Sequence, residues 1–261
     1  MSNPPKVEWD SEAYDRISDP QYNWGRALLE TIVLTGNETV LDAGCGTGRL
    51  AEELLARLPQ GRVIAVDSSE NMVRSAGERL ARFGDRVELM CADLADFRLA
   101  KPVDGIFSNA VFHWVPDHHA LFDSLYRALK PGGWLVAQFG GEGNLQRLKD
   151  RVQELRTHPE FSRHFGDWKD TSHYEGEAGT QALMRKAGFR EVESKLHAAP
   201  TTFPSREAFR VFIRKVNIHR YVAQLPPEEE TKFLDYLCDR AAADAPPFTL
   251  DYVRLTIRAR R

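Results

Sequence analysis

Two acidic residues and a run of glycines carry the first recognisable chemistry of this chain. Asp42 lies within Val40-Leu41-Asp42-Ala43-Gly44-Cys45-Gly46-Thr47-Gly48, and Asp67 ends Val63-Ile64-Ala65-Val66-Asp67, 25 positions further on. Glycines at alternate positions let backbone lie directly against a ligand and let a helix approach a strand closely. A carboxylate at the mouth of such a turn repels the pyrophosphate that glycine loops otherwise hold at a helix N-terminus. It suits an ammonium or a sulfonium instead. An acid at the end of the next strand can accept both ribose hydroxyls of an adenosine. A cationic nucleoside without phosphate is S-adenosylmethionine (SAM), and the pattern therefore predicts SAM as the cofactor. The plainer alternative is an ordinary tight strand-to-helix turn.

These residues need elements to hold them. Thr39 to Leu41 reads as a strand stopped by the glycines, and Leu50, Leu54, Leu55 and Leu58 follow at helical spacing. A helix is expected from about Ser69 to Phe83, capped by Ser68 or Ser69, with Met72, Val73, Ala76 and Leu80 buried. Val87 to Cys91 is a third strand with Asp93 just past its carboxyl end, where open α/β sheets bind ligands. Val103 to Ser108 is apolar enough for a buried parallel strand, and Asn109 to Trp114 leaves its carboxyl end. Asp117 caps a helix through Leu121, Phe122, Leu125 and Leu129, and Lys130-Pro131-Gly132-Gly133 turns the chain into a strand from Trp134 to Phe139. His118 and His119 are adjacent, so on a helix they diverge and do not chelate one metal.

This series resembles the class I SAM-dependent methyltransferases, in their small-molecule, trans-aconitate methyltransferase-like branch (methyltransferase type 11). The matching pieces are Val40 to Gly48, Val66-Asp67-Ser68-Ser69 with Met72, Cys91-Ala92-Asp93-Leu94, Ser108 to Trp114, and Leu129 to Gly133, together covering residues 36 to 140. The resemblance implies a doubly wound, mainly parallel seven-stranded α/β sheet with an antiparallel last strand and a helical lid. It implies cofactor contacts at Asp42, Ala43, Gly44, Gly46, Gly48, Asp67, Ser68, Met72, Asp93, Leu94 and Asn109. The backbone at Asn109 would receive the methionine ammonium, and Met72 is either core or the floor under the adenine. His113, as base or positioning group, and Trp114, as a substrate contact, would face the transferring methyl. Tyr14, in an aromatic stretch from Trp9 to Trp24, would close over the cofactor; the alternative is packing at the domain edge.

At 261 residues the chain suits one large α/β domain with insertions, and its charge of −3 argues against a general nucleic-acid binder. No apolar run approaches a membrane span and no basic, apolar leader is present, so a soluble, cytoplasmic protein is expected, as monomer or homodimer. Its three cysteines are widely spaced and read as reduced thiols. Residues 1–8 read as a disordered tail inside a cofactor-covering segment 1–35. The cofactor core is then 36–143, a lid 144–176, and a completion of the sheet 177–261 with inserted helices over 205–243. Within that completion a helix from Glu177 to Ala187 ends at Gly188, Arg190 to Leu196 is strand six, and Phe248 to Ala259 is a half-exposed final strand.

Residues 205–220 read as one amphipathic helix with Phe209, Phe212, Ile213 and Val216 inward. Its other face carries Arg206, Arg210, Arg214, Lys215, His219 and Arg220 against Glu207, which is either a solvated face or a positive wall over an anionic acceptor. Arg214 is the candidate substrate contact on that face.

Methyl transfer from a sulfonium needs alignment of donor and acceptor, which can remove roughly 7–11 kcal/mol of barrier, and needs no covalent intermediate. A carboxylate acceptor is already ionised at neutral pH, whereas a phenol of pKa about 10 costs about 4 kcal/mol to ionise. No metal constellation is evident, which favours a small carboxylate acceptor giving a methyl ester. N-methylation or phenol O-methylation is the alternative. A nicotinamide-dependent oxidoreductase and a silent SAM-binding module are more remote ones.

Overall fold

The computed structural model describes residues 8–261, with the side chains of Ala13, Tyr14 and Arg16 outside that description. The tail expected over residues 1–8 lies outside the described residues except for Glu8. The chain begins with helices α1 (Ser11–Ile17) and α2 (Asp19–Glu30). It then alternates through β1 (Thr39–Ala43), α3 (Arg49–Arg57), β2 (Arg62–Asp67), α4 (Glu70–Leu80), β3 (Val87–Cys91), β4 (Val103–Asn109), α5 (His118–Ala128) and β5 (Leu129–Gly140). After these come α6 (Gln146–Thr157), α7 (Glu177–Ala187), β6 (Arg190–Ala198), β7 (Thr201–Thr202) and α8 (Arg206–Phe212). The chain closes with α9 (His219–Val222), α10 (Pro227–Ala242), β8 (Thr249–Leu250) and β9 (Val253–Arg260).

Seven strands form one sheet in the order β3-β2-β1-β4-β5-β9-β6, and β7 pairs with β8. β1 lies parallel to β2 and β4, β3 parallel to β2, and β5 parallel to β4. At the start of β5 and just past the end of β9, Gly132 N–H donates to Arg261 O and Arg261 N–H to Gly133 O, both at 3.0 Å, so β9 runs antiparallel. The doubly wound, mainly parallel seven-stranded α/β sheet expected from the resemblance is therefore the observed fold. The strand order reverses direction between β1 and β4, and ligands of open α/β sheets sit at the carboxyl ends beside such a switch point.

Contacts group the chain into two compact units. Of the described residues, the first comprises 8–142, 172–196 and 255–261. Its strand side chains alternate between two apolar layers, as the period of two requires. Leu41, Ala43, Ile64, Val66 and Ile106 join Leu121, Phe122, Leu125 and Met184 of α5 and α7 on one face. Val40, Val63, Ala65 and Phe107 join Leu28, Leu29, Leu54, Leu55 and Leu80 of α2, α3 and α4 on the other.

The helix expected from Ser69 to Phe83 ends at Leu80 and continues as a 3-10 stretch, Ala81–Arg86, broken by Gly84. The turn expected at Lys130 to Gly133 is an irregularity inside β5. Val103 pairs with Leu129, and the register resumes only at Gly105 with Trp134.

The second unit comprises residues 143–171 and 197–254. Phe161 and Phe165 pack against Phe233 of α10 with ring centroids 5.2 and 6.1 Å apart. The single helix expected over 205–220 is a correction: α8 passes into a π-helical turn, Ile213–Asn217, and then α9. Ile218 N–H reaches back five residues to Ile213 O at 2.9 Å, so one extra residue is looped into the helix while Phe209, Phe212, Ile213 and Val216 stay buried. The positive wall is also corrected. Arg206 bonds Asp235 and Asp239, Arg210 bonds Asp235, and Arg214 bonds Glu230, all carboxylates of α10. The final stretch expected from Phe248 to Ala259 divides into β8 and β9, and strand six extends to Ala198. No described helix is long and apolar enough to cross a membrane.

Candidate functional site

The glycine turn leaves β1 with Gly44 and Cys45 both donating backbone N–H groups to Val66 O, at 2.7 and 2.9 Å. Its three glycines have positive φ, and each answers a different neighbour. A Cβ on Gly44 would lie 2.2 Å from Val111 Cγ2, so the missing side chain lets the loop after β4 seat on the turn. The sequence had assigned that space to ligand, which is a correction. A Cβ on Gly46 would meet nothing within 4 Å, so Gly46 is the glycine that leaves backbone open to a ligand. Gly48 begins α3 in left-handed conformation, and its Cβ would press on Ala76 and Leu80 of α4.

Asp42 and Asp67 come together behind this turn. Asp67 Oδ2 accepts Gly46 N–H at 2.9 Å and Oδ1 accepts Ser69 N–H at 3.0 Å. Burial pushes the Asp67 carboxyl up against the opposing pull of these backbone donors. Asp42 is only 2% exposed, and its Oδ2 has no hydrogen-bond partner. Burial, and then the charge of Asp67, push its carboxyl up to about 7. A buried acid with an orphaned oxygen, beside a second, half-buried acid, calls for a cationic partner, since an uncompensated buried charge is costly. Asn109 adds a second orphan: its Nδ2 donates to Gln21 O at 2.8 Å, while its buried Oδ1 has no partner. Gln21 Oε1 is a third. These oxygens and the open face of Gly46 fit the ammonium and sulfonium of SAM.

The remaining predicted contacts fall around the same strand ends. Ala43 is buried at the end of β1, and Ser68 follows Asp67. Ser69, not Ser68, caps α4 by accepting Met72 N–H at 3.3 Å, and Met72 is buried under it. Asp93 is exposed past β3 and accepts Ala95 N–H at 2.9 Å, with Leu94 buried beside it. Tyr14 falls in α1, its side chain outside the described residues.

After β4, Ala110 adopts φ 62 and the chain makes a 3-10 turn, Phe112–Trp114. A non-glycine residue in that region is strained, which is common where a loop is held for function. His118 of α5 holds the turn by donating Nε2–H to Phe112 O at 2.9 Å, and burial lowers its pKa to about 4. His113 is 6% exposed, and its Nδ1 accepts Gly140 N–H at 3.3 Å. Its ring stacks on Tyr174 at 5.6 Å and lies 4.7 Å from Trp114, which also meets Trp9 at 5.7 Å.

Several members of this site were not foreseen. His173 N–H donates to His113 O at 2.8 Å, strapping Tyr174 over the turn. Asp15 of α1 accepts Thr47 Oγ1–H at 2.6 Å and an Arg79 N–H at 2.8 Å, pinning α1 to the glycine turn. Glu8 accepts from Ser69 Oγ–H and from the Glu70 and Asn71 N–H groups at the start of α4. Thr47 stood inside the glycine stretch and was the one legible signal; the other pairings join residues far apart in sequence. Arg214, by contrast, sits in the second unit on Glu230.

Comparison with known proteins agrees with this geometry. Residues 40–133 match the family model described as "Methyltransferase domain". Residues 40–133 thus form a methyltransferase domain, and the chain is similar to small-molecule class I SAM-dependent methyltransferases. Within that class it is 45% identical to trans-aconitate 2-methyltransferase of Azoarcus sp. (strain BH72) over 130 residues, 50% of each chain. It is 27% identical to the trans-aconitate 2-methyltransferase of Methylobacterium nodulans over 98% of this chain and 99% of that one. The chain thus spans about half the length of the first of these relatives and nearly all of the second. In fold it is similar to phosphoethanolamine N-methyltransferase 2 of Haemonchus contortus, solved in complex with SAM, with a TM-score of 0.61 and 21% identity over 96% of this chain and 56% of that one.

Proposed function

We propose that this chain methylates a carboxylate oxygen of a small organic acid, using SAM and giving a methyl ester. The observation that carries the cofactor half is Asp42: a buried carboxylate with one orphaned oxygen behind a glycine turn that is open at Gly46. That arrangement disfavours a pyrophosphate and so disfavours a nicotinamide cofactor. SAM supplies an electrophilic methyl on a sulfonium. Asp42, Asn109 and Gln21 would hold the charged methionine end, Asp67 and Ser68 the ribose, and Met72, Asp93 and Leu94 the adenine. Asp67 retains capacity for ribose hydroxyls, because each carboxylate oxygen accepts more than one hydrogen bond.

The acceptor class rests on the likeness to the trans-aconitate 2-methyltransferases, one of them along nearly the whole chain. A carboxylate needs no deprotonation at neutral pH, so the residues of this site have only to position it and exclude water. His113 and Trp114 are the positioning candidates beside the glycine turn. Arg214 is a candidate contact only if it exchanges Glu230 for the acceptor. Segment 1–35 would cover the cofactor and 144–176 would act as a lid, in a cytoplasmic monomer or homodimer.

The test is turnover of labelled SAM against a panel of polycarboxylates, fatty acids, phenols and amines, read by product mass. A methyl ester from a polycarboxylate is the expected outcome. Methylation confined to an amine or phenol would replace this reading with N- or phenol O-methylation.

A further inference from the structure

We infer that His118 is a positioning residue for methyl transfer: by holding Phe112 O it sets where His113 and Trp114 stand. This rests on the reading of those two side chains as acceptor-positioning groups. Their turn needs holding. Ala110, at its start, has φ 62, and strained backbone persists only where its surroundings over-determine it. Phe112 O accepts Val115 N–H at 3.0 Å within the turn and His118 Nε2–H at 2.9 Å from α5. The next carbonyl, His113 O, accepts His173 N–H at 2.8 Å. Val111, one residue before Phe112, is seated on Gly44, so a shift of this turn is a shift against the glycine turn.

The chemistry of the ring sets it apart from filler. A carbonyl oxygen can only accept, so Nε2 carries the proton, and burial keeps the ring neutral with a bare Nδ1. That nitrogen is buried and has no partner among the described residues. The ring lies against Phe122, Phe139 and the His173 ring, at centroid distances of 5.8, 6.1 and 4.3 Å. A leucine would fill these surroundings without burying an orphaned nitrogen, so packing alone favours the leucine. What a leucine lacks is a donor that reaches Phe112 O from α5. The histidine gives up stability to hold the turn, a pattern expected where geometry serves function.

Two measurements test this. In protein labelled with fluorotryptophan, the 19F signal of Trp114, assigned by its loss in Trp114→Phe, reports the place of the turn. His118→Leu should shift or split that signal. His118→Gln, whose amide can reach the Nε2 position and donate, should restore it. In steady-state methyl transfer, His118→Leu should lower kcat by about ten- to a hundredfold, as a small displacement of a positioned group does. SAM affinity by calorimetry should stay within about threefold of wild type, and His118→Gln should return kcat to within about threefold. A wild-type Trp114 signal or a wild-type kcat in His118→Leu would overturn the inference. So would equal loss of kcat in the leucine and glutamine variants, or loss of the fold in His118→Leu, which would mark the residue as structural. The Trp114 signal needs no acceptor. If wild type methylates only an amine or a phenol, the carboxylate reading fails separately, and both measurements, made with that acceptor, still decide the role of His118.

Discussion

Asp67 accepts the backbone N–H of Gly46 at 2.9 Å, which ties the acid at the end of β2 to the middle of the glycine turn. One carboxylate thus shapes the loop that the proposed cofactor site is built on. If Asp67 holds the ribose as proposed, replacing it removes charge-assisted bonds worth about 1.5–3 kcal/mol. Asp67→Ala should weaken SAM binding by roughly one to two decades, and Asp67→Asn, which keeps one accepting oxygen, by less. Calorimetry on both variants checks this, and wild-type affinity in Asp67→Ala would remove Asp67 from the cofactor site.

The Asp42 carboxyl, pushed up to about 7, makes cofactor binding a proton-linked event. A cationic ligand favours the ionised carboxylate and lowers its pKa in the complex. Below pH 7 the ligand-free protein holds a proton there, so SAM binding should release up to one proton and weaken as pH falls. The same raised pKa sets the stability of the ligand-free protein. The contribution is fully present below the unfolded value of about 3.9 and is lost as pH rises toward 7. Calorimetry in buffers of different ionisation enthalpy at pH 6 measures the proton directly. Asp42→Asn should abolish the release, and persistence of the release in that variant would assign it elsewhere.

Gly44 and Gly46 should respond differently to a methyl group. Gly44→Ala drives a Cβ to 2.2 Å from Val111 Cγ2 at φ +83, and overpacking of this kind costs about 1–3 kcal/mol. Gly46→Ala has open space and only the left-handed backbone cost of about 1–2 kcal/mol. Thermal melting should therefore rank Gly44→Ala as the more damaged. Gly46→Val should remain folded and lose SAM binding, and tight binding by that variant would place the ligand away from the turn.

Asp15 bridges α1 to Thr47 and Arg79 through partly exposed side chains. Asp15→Ala should release α1 from the glycine turn. Hydrogen exchange over residues 8–17 should quicken and SAM affinity should fall several-fold, while protection in β1, β2 and β4 is retained. Unchanged exchange in α1 would show that other contacts hold the helix.

Arg214 on Glu230 offers a test of the basic face. If Arg214 meets the acceptor, Arg214→Ala raises the acceptor KM and Glu230→Gln, which frees the guanidinium, lowers it. If the ion pair serves only α8 to α10 packing, both variants lose thermal stability together and leave KM alone. Steady-state kinetics and melting of the two variants separate these outcomes.

By itself the sequence determined the order of strands and helices in the sheet-forming half, the glycine turn, and the acids at the ends of β1 and β2. Those features are written locally. Apolar runs of period two or 3.6 and glycine stops depend on neighbours a few residues away, and hydrophobic burial enforces them wherever the chain goes. Tertiary structure decided the rest. Gly140 donates its N–H to His113 Nδ1 from 27 residues away, and α10 supplies carboxylates to arginines that read as a bare positive face. The π-turn at Ile213–Asn217 keeps Phe209, Phe212, Ile213 and Val216 buried while adding one residue to the ladder, so periodicity did not reveal it. In each case the outcome depends on which donor or charge the chain's later course brings back to the site, and hydrogen bonds and ion pairs of that kind leave no trace in local pattern.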